Sequence, residues 1–252
     1  ERFLVENPQR TLHFIAANGF SPASYQPLFS CLKNTEIVSP LLRPLWRPAV
    51  PVKLRSWMDF ADDIHDYVQV FQPKYVMGHS IGAVIWALYA YKYNYEFDRI
   101  VMLDPALFPW HLPWIYRVIK AFHLQRRLHP MIPKTLKRQV VFESKDIIKE
   151  NYASKPVFSK FSAESLDAYI NAAFCKTDQG YELLFSPEWE ALIYEYGMLD
   201  DAKIWKGLSQ LQAEVVLIRG EHSDVCTTGI ERRMKRVCSR FKSYCVSGAT
   251  HL

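Results

Sequence analysis

The run Val76-Met77-Gly78-His79-Ser80-Ile81-Gly82-Ala83 constrains this chain more than any other stretch. A serine stands there between two glycines, after an apolar, strand-like segment (Lys74-Tyr75-Val76-Met77) and before an almost wholly apolar, helix-like one from Ala83 to Tyr91. A strand that turns at once into a helix holds its turn residue in a strained conformation. Glycines two places before and two after remove the side chains that would collide. The pattern therefore predicts that Ser80 stands clear of the backbone at a helix N-terminus, where the amide of Ile81 is free to donate to a developing oxyanion.

A serine hydroxyl is a poor nucleophile at neutral pH and needs a histidine base with an acid to orient it. Ala213 to Ile218 reads as a strand, and the polar loop Arg219-Gly220-Glu221-His222-Ser223-Asp224 would present Asp224 at its end. His251 lies 27 residues further on, after a strand-like Lys242 to Val246 and a Ser247-Gly248-Ala249-Thr250 turn. A second aspartate also closes a strand, in Arg99-Ile100-Val101-Met102-Leu103-Asp104-Pro105. Asp104 is the alternative acid, and otherwise a cap on the segment that follows.

With these residues in the order serine, acid, histidine, the chain resembles the α/β-hydrolase-fold serine hydrolases, in particular their capped, esterase- or lipase-like members. Gly78-His79-Ser80-Ile81-Gly82, Gly220 to Asp224 and Gly248-Ala249-Thr250-His251-Leu252 carry the resemblance. His13 to Phe20 is similar to the family's third strand and the oxyanion loop that leaves it. Many members have His-Gly where this chain has Asn18-Gly19; the glycine that permits the turn is kept. The resemblance implies a mostly parallel sheet flanked by helices, with an inserted helical cap. It implies Phe20 and Ile81 as the backbone oxyanion donors, each worth about 3–4 kcal/mol in the transition state. It favours Asp224 over Asp104 as the acid, because the loop after the penultimate strand is the commoner location. Neither a cofactor nor a metal is implied. Asn18, His79, Trp46 and Trp110 are the candidates for the substrate pocket; His79 reads as a structural group beside the nucleophile, and Trp46 either lines the pocket or is pinned at the surface by its prolines.

Alternating strand and helix signals place the hydrolase core at residues 1–104 and 200–252, with residues 105–199 as the cap. The cap segments look helical: Trp114 to Gln125, Pro133 to Val141, Ser144 to Tyr152, Ala163 to Phe174 and Pro187 to Tyr196. The chain starts almost at the third strand and stops one residue after His251, so both ends of the usual fold are expected to be missing. An apolar fraction of 49% fits one substantial core. No apolar run reaches the roughly 18 residues of a membrane span. Five cysteines without a Cys-x-x-Cys pair suggest neither a disulfide framework nor a zinc site and fit a reducing cytoplasm.

Between Pro105 and Val140 there are seven basic residues and no acidic one, interleaved with Phe108, Trp110, Trp114, Tyr116 and Phe122. Two readings stand. One is a face that attracts an anionic amphiphile such as a lipid surface; the other, which is preferred, is a solvated basic helix whose aromatics face the pocket or core. A net charge of +5 without a binding motif argues against nucleic acid as a partner. The expected activity is hydrolysis of a small-molecule carboxylic ester with a small to medium apolar acyl or aromatic group. Thioester or carbon–carbon bond hydrolysis on the same groups, and a hydrolase-fold receptor for a small ligand, are the alternatives.

Overall fold

In a computed structural model, residues 1–5 and 8–252 describe a seven-stranded sheet with helices on both faces and a cap over the carboxyl ends of the strands. The strands of the main sheet are β1 (Arg2–Phe3), β2 (Arg10–Ile15), β3 (Thr35–Val38), β4 (Tyr75–His79), β5 (Arg99–Leu103), β9 (Glu214–Gly220) and β10 (Phe241–Val246). The cap contributes β6 (Val141–Phe142), β7 (Phe174–Thr177) and β8 (Gly180–Leu183). The main sheet runs β1-β3-β2-β4-β5-β9-β10 and is parallel except for the antiparallel edge pair β1 and β3. The chain winds outward from β2 to β3 and then returns to the other side of β2 for β4. Loops leaving β2 and β4 therefore diverge at this point, the crevice where open parallel sheets place ligands.

The core helices are α1 (Gln26–Ser30), α2 (Met58–Asp63), α3 (His65–Phe71) and α4 (Ile81–Tyr93) before the cap. The cap holds α5 (Leu112–Ala121), α6 (Gln125–Leu128), α7 (Ile132–Leu136), α8 (Lys145–Ala153), α9 (Ala163–Ala173) and α10 (Pro187–Gly197). The core resumes with α11 (Asp201–Gln210) and α12 (Thr228–Val237). Helix α4 is apolar all round because every residue from Ile81 to Ala90 is buried, between the sheet on one side and α2 and α11 on the other. Its burial fixes the position of Ser80, the residue before it. The apolar-striped stretch from Ser56 to Val70 folds as two helices, α2 and α3, meeting at Ile64.

The cap is mainly helical and also carries a three-stranded antiparallel sheet, β6-β8-β7. Helix α7 ends at Leu136, and the chain to Val141 leads into β6 instead of extending it. The cap has its own apolar centre around Phe142, Tyr152, Phe158, Tyr169 and Phe174, and Phe20 of the core packs against it. Among the described residues no helix is long and apolar enough to cross a membrane.

Candidate active site

Ser80 adopts φ 55° and ψ −121°, a left-handed conformation that a side chain tolerates only when its surroundings enforce it. The enforcement is close packing of strand against helix. A Cβ on Gly78 would overlap the backbone of Gly82 and Ala83, and one on Gly82 would overlap the carbonyls of Ile15 and Ala16. The Ser80 N–H is held by the Leu103 carbonyl at 2.9 Å. Helix α4 has no side-chain cap, so its first-turn amides, Ile81 among them, point at whatever sits beside Ser80.

His251 Nε2 lies 3.1 Å from Ser80 Oγ, and His251 Nδ1 lies 2.7 Å from Asp104 Oδ1. A carboxylate only accepts, so in the neutral imidazole Nδ1 carries the proton and Nε2 is left to accept from the serine hydroxyl. Asp104 is buried directly after β5, at φ 39°, another left-handed residue at the end of a strand. Burial works to raise its pKa, but the hydrogen bonds from His251, from the Ser223 hydroxyl (2.5 Å) and from the Gly220 N–H (2.9 Å) outweigh it and hold the carboxyl below its ordinary value.

The acid that the sequence favoured is elsewhere. Asp224 is exposed and makes no hydrogen bond or ion pair with His251, whereas Ser223 points inward. The Ser223 hydroxyl donates to Asp104 and accepts from the amides of Val225 and Cys226 (3.2 and 2.9 Å), and this tight turn into α12 sends the next side chain, Asp224, out to solvent. Asp104 is thus no mere cap on the following segment; it is the carboxylate that faces the histidine.

The Phe20 amide is engaged in this structure. Gly19, at φ 80°, makes a turn in which the Phe20 N–H donates to the Ala17 carbonyl at 3.2 Å, while the first turn of α4 leaves the Ile81 amide without an intrahelical acceptor next to Ser80. Beside Ile81 opens a narrow apolar pocket with about 20 Å³ of free volume. Leu42 and Leu45 of the proline-rich loop, Phe185 and Ile193 of the cap, and Asn18 and Phe20 form its walls. Arg43, paired with Asp63 (2.8 Å from Nε to Oδ2), ties that loop to α2. Trp46 and Trp110 are not part of the pocket. The Trp46 indole N–H turns back to the Leu41 carbonyl at 2.7 Å, and Trp110 is 72% exposed on the outside of the cap.

A family model described as serine aminopeptidase, S33 (Hydrolase_4) matches residues 49–180, just over half of the chain, a span that includes the Ser80 turn and Asp104 and ends within the cap. The chain belongs to this family of α/β hydrolases. Among solved structures it is similar to E-2-(acetamidomethylene)succinate hydrolase, with 18% identity, a TM-score of 0.75, and 97% of this chain and 86% of that one covered. It is also similar to the thioesterase domain from the curacin biosynthetic pathway (14% identity, TM-score 0.74, 99% and 88% covered). A third likeness is to an esterase from M. tuberculosis (15% identity, TM-score 0.72, 100% and 84% covered). Identities this low establish the shared fold. No curated protein matches the chain in sequence.

Two arrangements in this S33-family chain were not foreseen from sequence: the partners of His79, a residue expected to be structural, and a buried ion pair that clamps the cap. His79 is fully enclosed behind Ser80 rather than open to the pocket. Burial, reinforced by the neighbouring His251, depresses its pKa to about 3 and keeps it neutral. The Ala17 N–H donates to Tyr25 Oη (3.1 Å), Tyr25 Oη meets His79 Nδ1 (2.7 Å), and His79 Nε2 meets the His251 carbonyl (2.9 Å). A carbonyl can only accept, so Nε2 carries the proton, Nδ1 accepts from the tyrosine hydroxyl, and one relay joins the end of β2 to the backbone of His251. The second arrangement is this clamp. Glu190 of α10 is buried, ion-paired with Arg138, and its carboxylate sits against Gly19; the Glu190 carbonyl accepts from Asn18 Nδ2 at 3.1 Å. Arg138 also reaches the hydroxyls of Tyr152 and Tyr169 (2.8 and 3.1 Å), which ties the turn beside Ser80 to both halves of the cap. A buried carboxylate this close to a glycine loop is a signal available only once the loop and α10 are seen together.

Proposed function

We propose that this protein hydrolyses carboxylic esters with a small to medium apolar acyl group, through an acyl-enzyme on Ser80. The observation that carries the reading is the continuous hydrogen-bonded line Ser80–His251–Asp104 at the head of α4, opening onto an apolar pocket. Ser80 Oγ attacks the ester carbonyl as its proton passes to His251 Nε2. The oxyanion that forms faces the Ile81 amide and the positive end of α4. Asp104 fixes the imidazole tautomer and stabilises the imidazolium. The C–O bond then breaks, and His251 returns the proton to the leaving alcohol. Water, deprotonated by the same nitrogen, releases the carboxylic acid. A second backbone donor is recruited when substrate displaces the Ala17–Phe20 turn bond. The apolar walls around Ile81 select the acyl group by desolvation, roughly 0.8 kcal/mol for each methylene buried.

A thioester would meet the same groups, so matched oxygen and sulfur esters of one acyl chain rank the two substrates. The test is turnover of p-nitrophenyl esters of increasing chain length by the wild type and by Ser80→Ala. Wild-type kcat/KM is expected to peak at a short to medium chain. The variant is expected to lose about 10⁴–10⁶-fold with an unchanged circular dichroism spectrum. Turnover retained in Ser80→Ala would overturn the reading.

A further inference from the structure

The first part of the cap turns an apolar face outward. On α5, Pro113 and Tyr116 pack inward, while Trp114, Ile115, Val118 and Phe122 fall on the opposite side of the helix and Trp110 precedes them. Trp114 and Phe122 are 65% and 71% exposed. A single exposed apolar side chain is ordinary on a protein surface, but residues at i, i+1, i+4 and i+8 make one continuous patch, and such patches mark docking surfaces. The preferred sequence reading, in which the aromatics faced the pocket or core, holds for Tyr116, which is buried, and for Phe108, which packs against the main core, but not for Trp110, Trp114 and Phe122.

Charge in the same segment of the cap points to the occupant of the patch. Of the seven basic residues between Pro105 and Val140, Lys120, Arg126 and Arg138 are turned onto Glu195, Glu188 and Glu190 of α10. Arg117, Arg127, Lys134 and Lys137 are exposed and enter no ion pair among the described residues. Arg117 lies over the Trp114 ring, 5.0 Å from its centroid. A second copy of the chain docked by the same patch would bring two unneutralised basic rims together, which like-charge repulsion opposes. A surface that is both apolar at depth and anionic at its boundary satisfies the aromatics and the cations at once.

We propose that α5 is a peripheral docking surface for an anionic lipid bilayer. Trp110, Trp114 and Phe122 insert at headgroup level, and Arg117, Arg127, Lys134 and Lys137 face the lipid phosphates. This assignment is independent of the reaction at Ser80.

The test is co-sedimentation of the full chain with vesicles of phosphatidylcholine alone and of phosphatidylcholine mixed with phosphatidylglycerol, at low and at high salt. Binding is expected with the anionic vesicles and is expected to weaken as salt rises. Trp114→Ser with Phe122→Ser, and separately Arg127→Glu with Lys137→Glu, should each reduce the partition coefficient at least about tenfold. Matching thermal midpoints and circular dichroism spectra check that both double variants fold. Failure of the folded wild type to bind anionic vesicles, or binding indifferent to both pairs of substitutions, would overturn the proposal. So would a lipid-free dimer that Trp114→Ser with Phe122→Ser converts to monomer, since the face would then belong to a second copy.

Discussion

Strands β5 and β9 lie side by side, and an aspartate follows each of them, yet only one of the two faces the histidine. Asp104 comes immediately after β5, buried and fixed by three donors. Asp224 comes four residues after Gly220, past a turn that has already aimed Ser223 inward. The loop after β9 supplies no acid, but it serves both partners of the site. Its Gly220 N–H and Ser223 hydroxyl hold Asp104. The His222 N–H donates to the Ala249 carbonyl (2.8 Å), while the Glu221 carboxylate accepts from the Ser247 hydroxyl and the Gly248 N–H (2.7 and 2.8 Å), so the same loop carries the turn that presents His251. A carboxylate's role is decided by the donors that surround it and not by how far it lies from a strand.

The sharpest way to break this comparison is to neutralise each aspartate in turn. Asp104→Asn is expected to lower kcat/KM on the best p-nitrophenyl ester by about 10⁴-fold, because the amide favours the wrong imidazole tautomer and cannot balance an imidazolium. Asp224→Asn, on an exposed side chain, should stay within about twofold. Equal losses in the two variants would mean that the loop moves and both carboxylates serve. A smaller effect tests the donors. Ser223→Ala removes one hydrogen bond to a buried carboxylate and should lower kcat/KM by about tenfold, a loss near 1.4 kcal/mol.

The same substitution carries a pH signature. The folded-state pKa of Asp104 is depressed, so its contribution to stability is complete above the ordinary carboxylate value and is lost as pH falls through the lower, folded value. Taking away the Ser223 donor brings the folded value back towards the unfolded one. The acid-unfolding midpoint of Ser223→Ala, followed by tryptophan fluorescence, should therefore lie at higher pH than that of the wild type; an unchanged midpoint would show that Ser223 contributes nothing to holding the charge.

Much of this arrangement was legible in the residues. The glycines around Ser80 report a clash that only a tight strand-to-helix turn imposes, and the all-apolar run after it could only be a buried helix. The alternation of strand and helix signals gave the α/β class, and the family resemblance implied the mostly parallel sheet. The choice of acid was not legible, because Leu103-Asp104 and Gly220 to Asp224 both put a carboxylate after a strand, and the direction of a side chain in a turn depends on contacts from distant segments. That the Phe20 amide is engaged here was not legible for a related reason: Gly19 permits a turn whose own hydrogen bond takes up that N–H. The cap's small sheet was overlooked although a signal was present, since Thr177-Asp178-Gln179-Gly180 joins β7 and β8 through a two-residue loop. Strands of two to four residues carry too little alternation to outweigh the helical stretches around them. Tyr25 and Arg138 meet their partners only through the tertiary fold.

The central claim is that Ser80 is activated by His251 held on Asp104, and a fluorophosphonate probe tests it without any assumption about substrate. Labelling rates would be measured for the wild type, Asp104→Asn and Asp224→Asn, with the adduct located by mass spectrometry. The expected result is an adduct on Ser80, formed at nearly equal rates in the wild type and Asp224→Asn and at least about a hundredfold more slowly in Asp104→Asn. An adduct on another residue, or a rate that falls with Asp224 and not with Asp104, would contradict it.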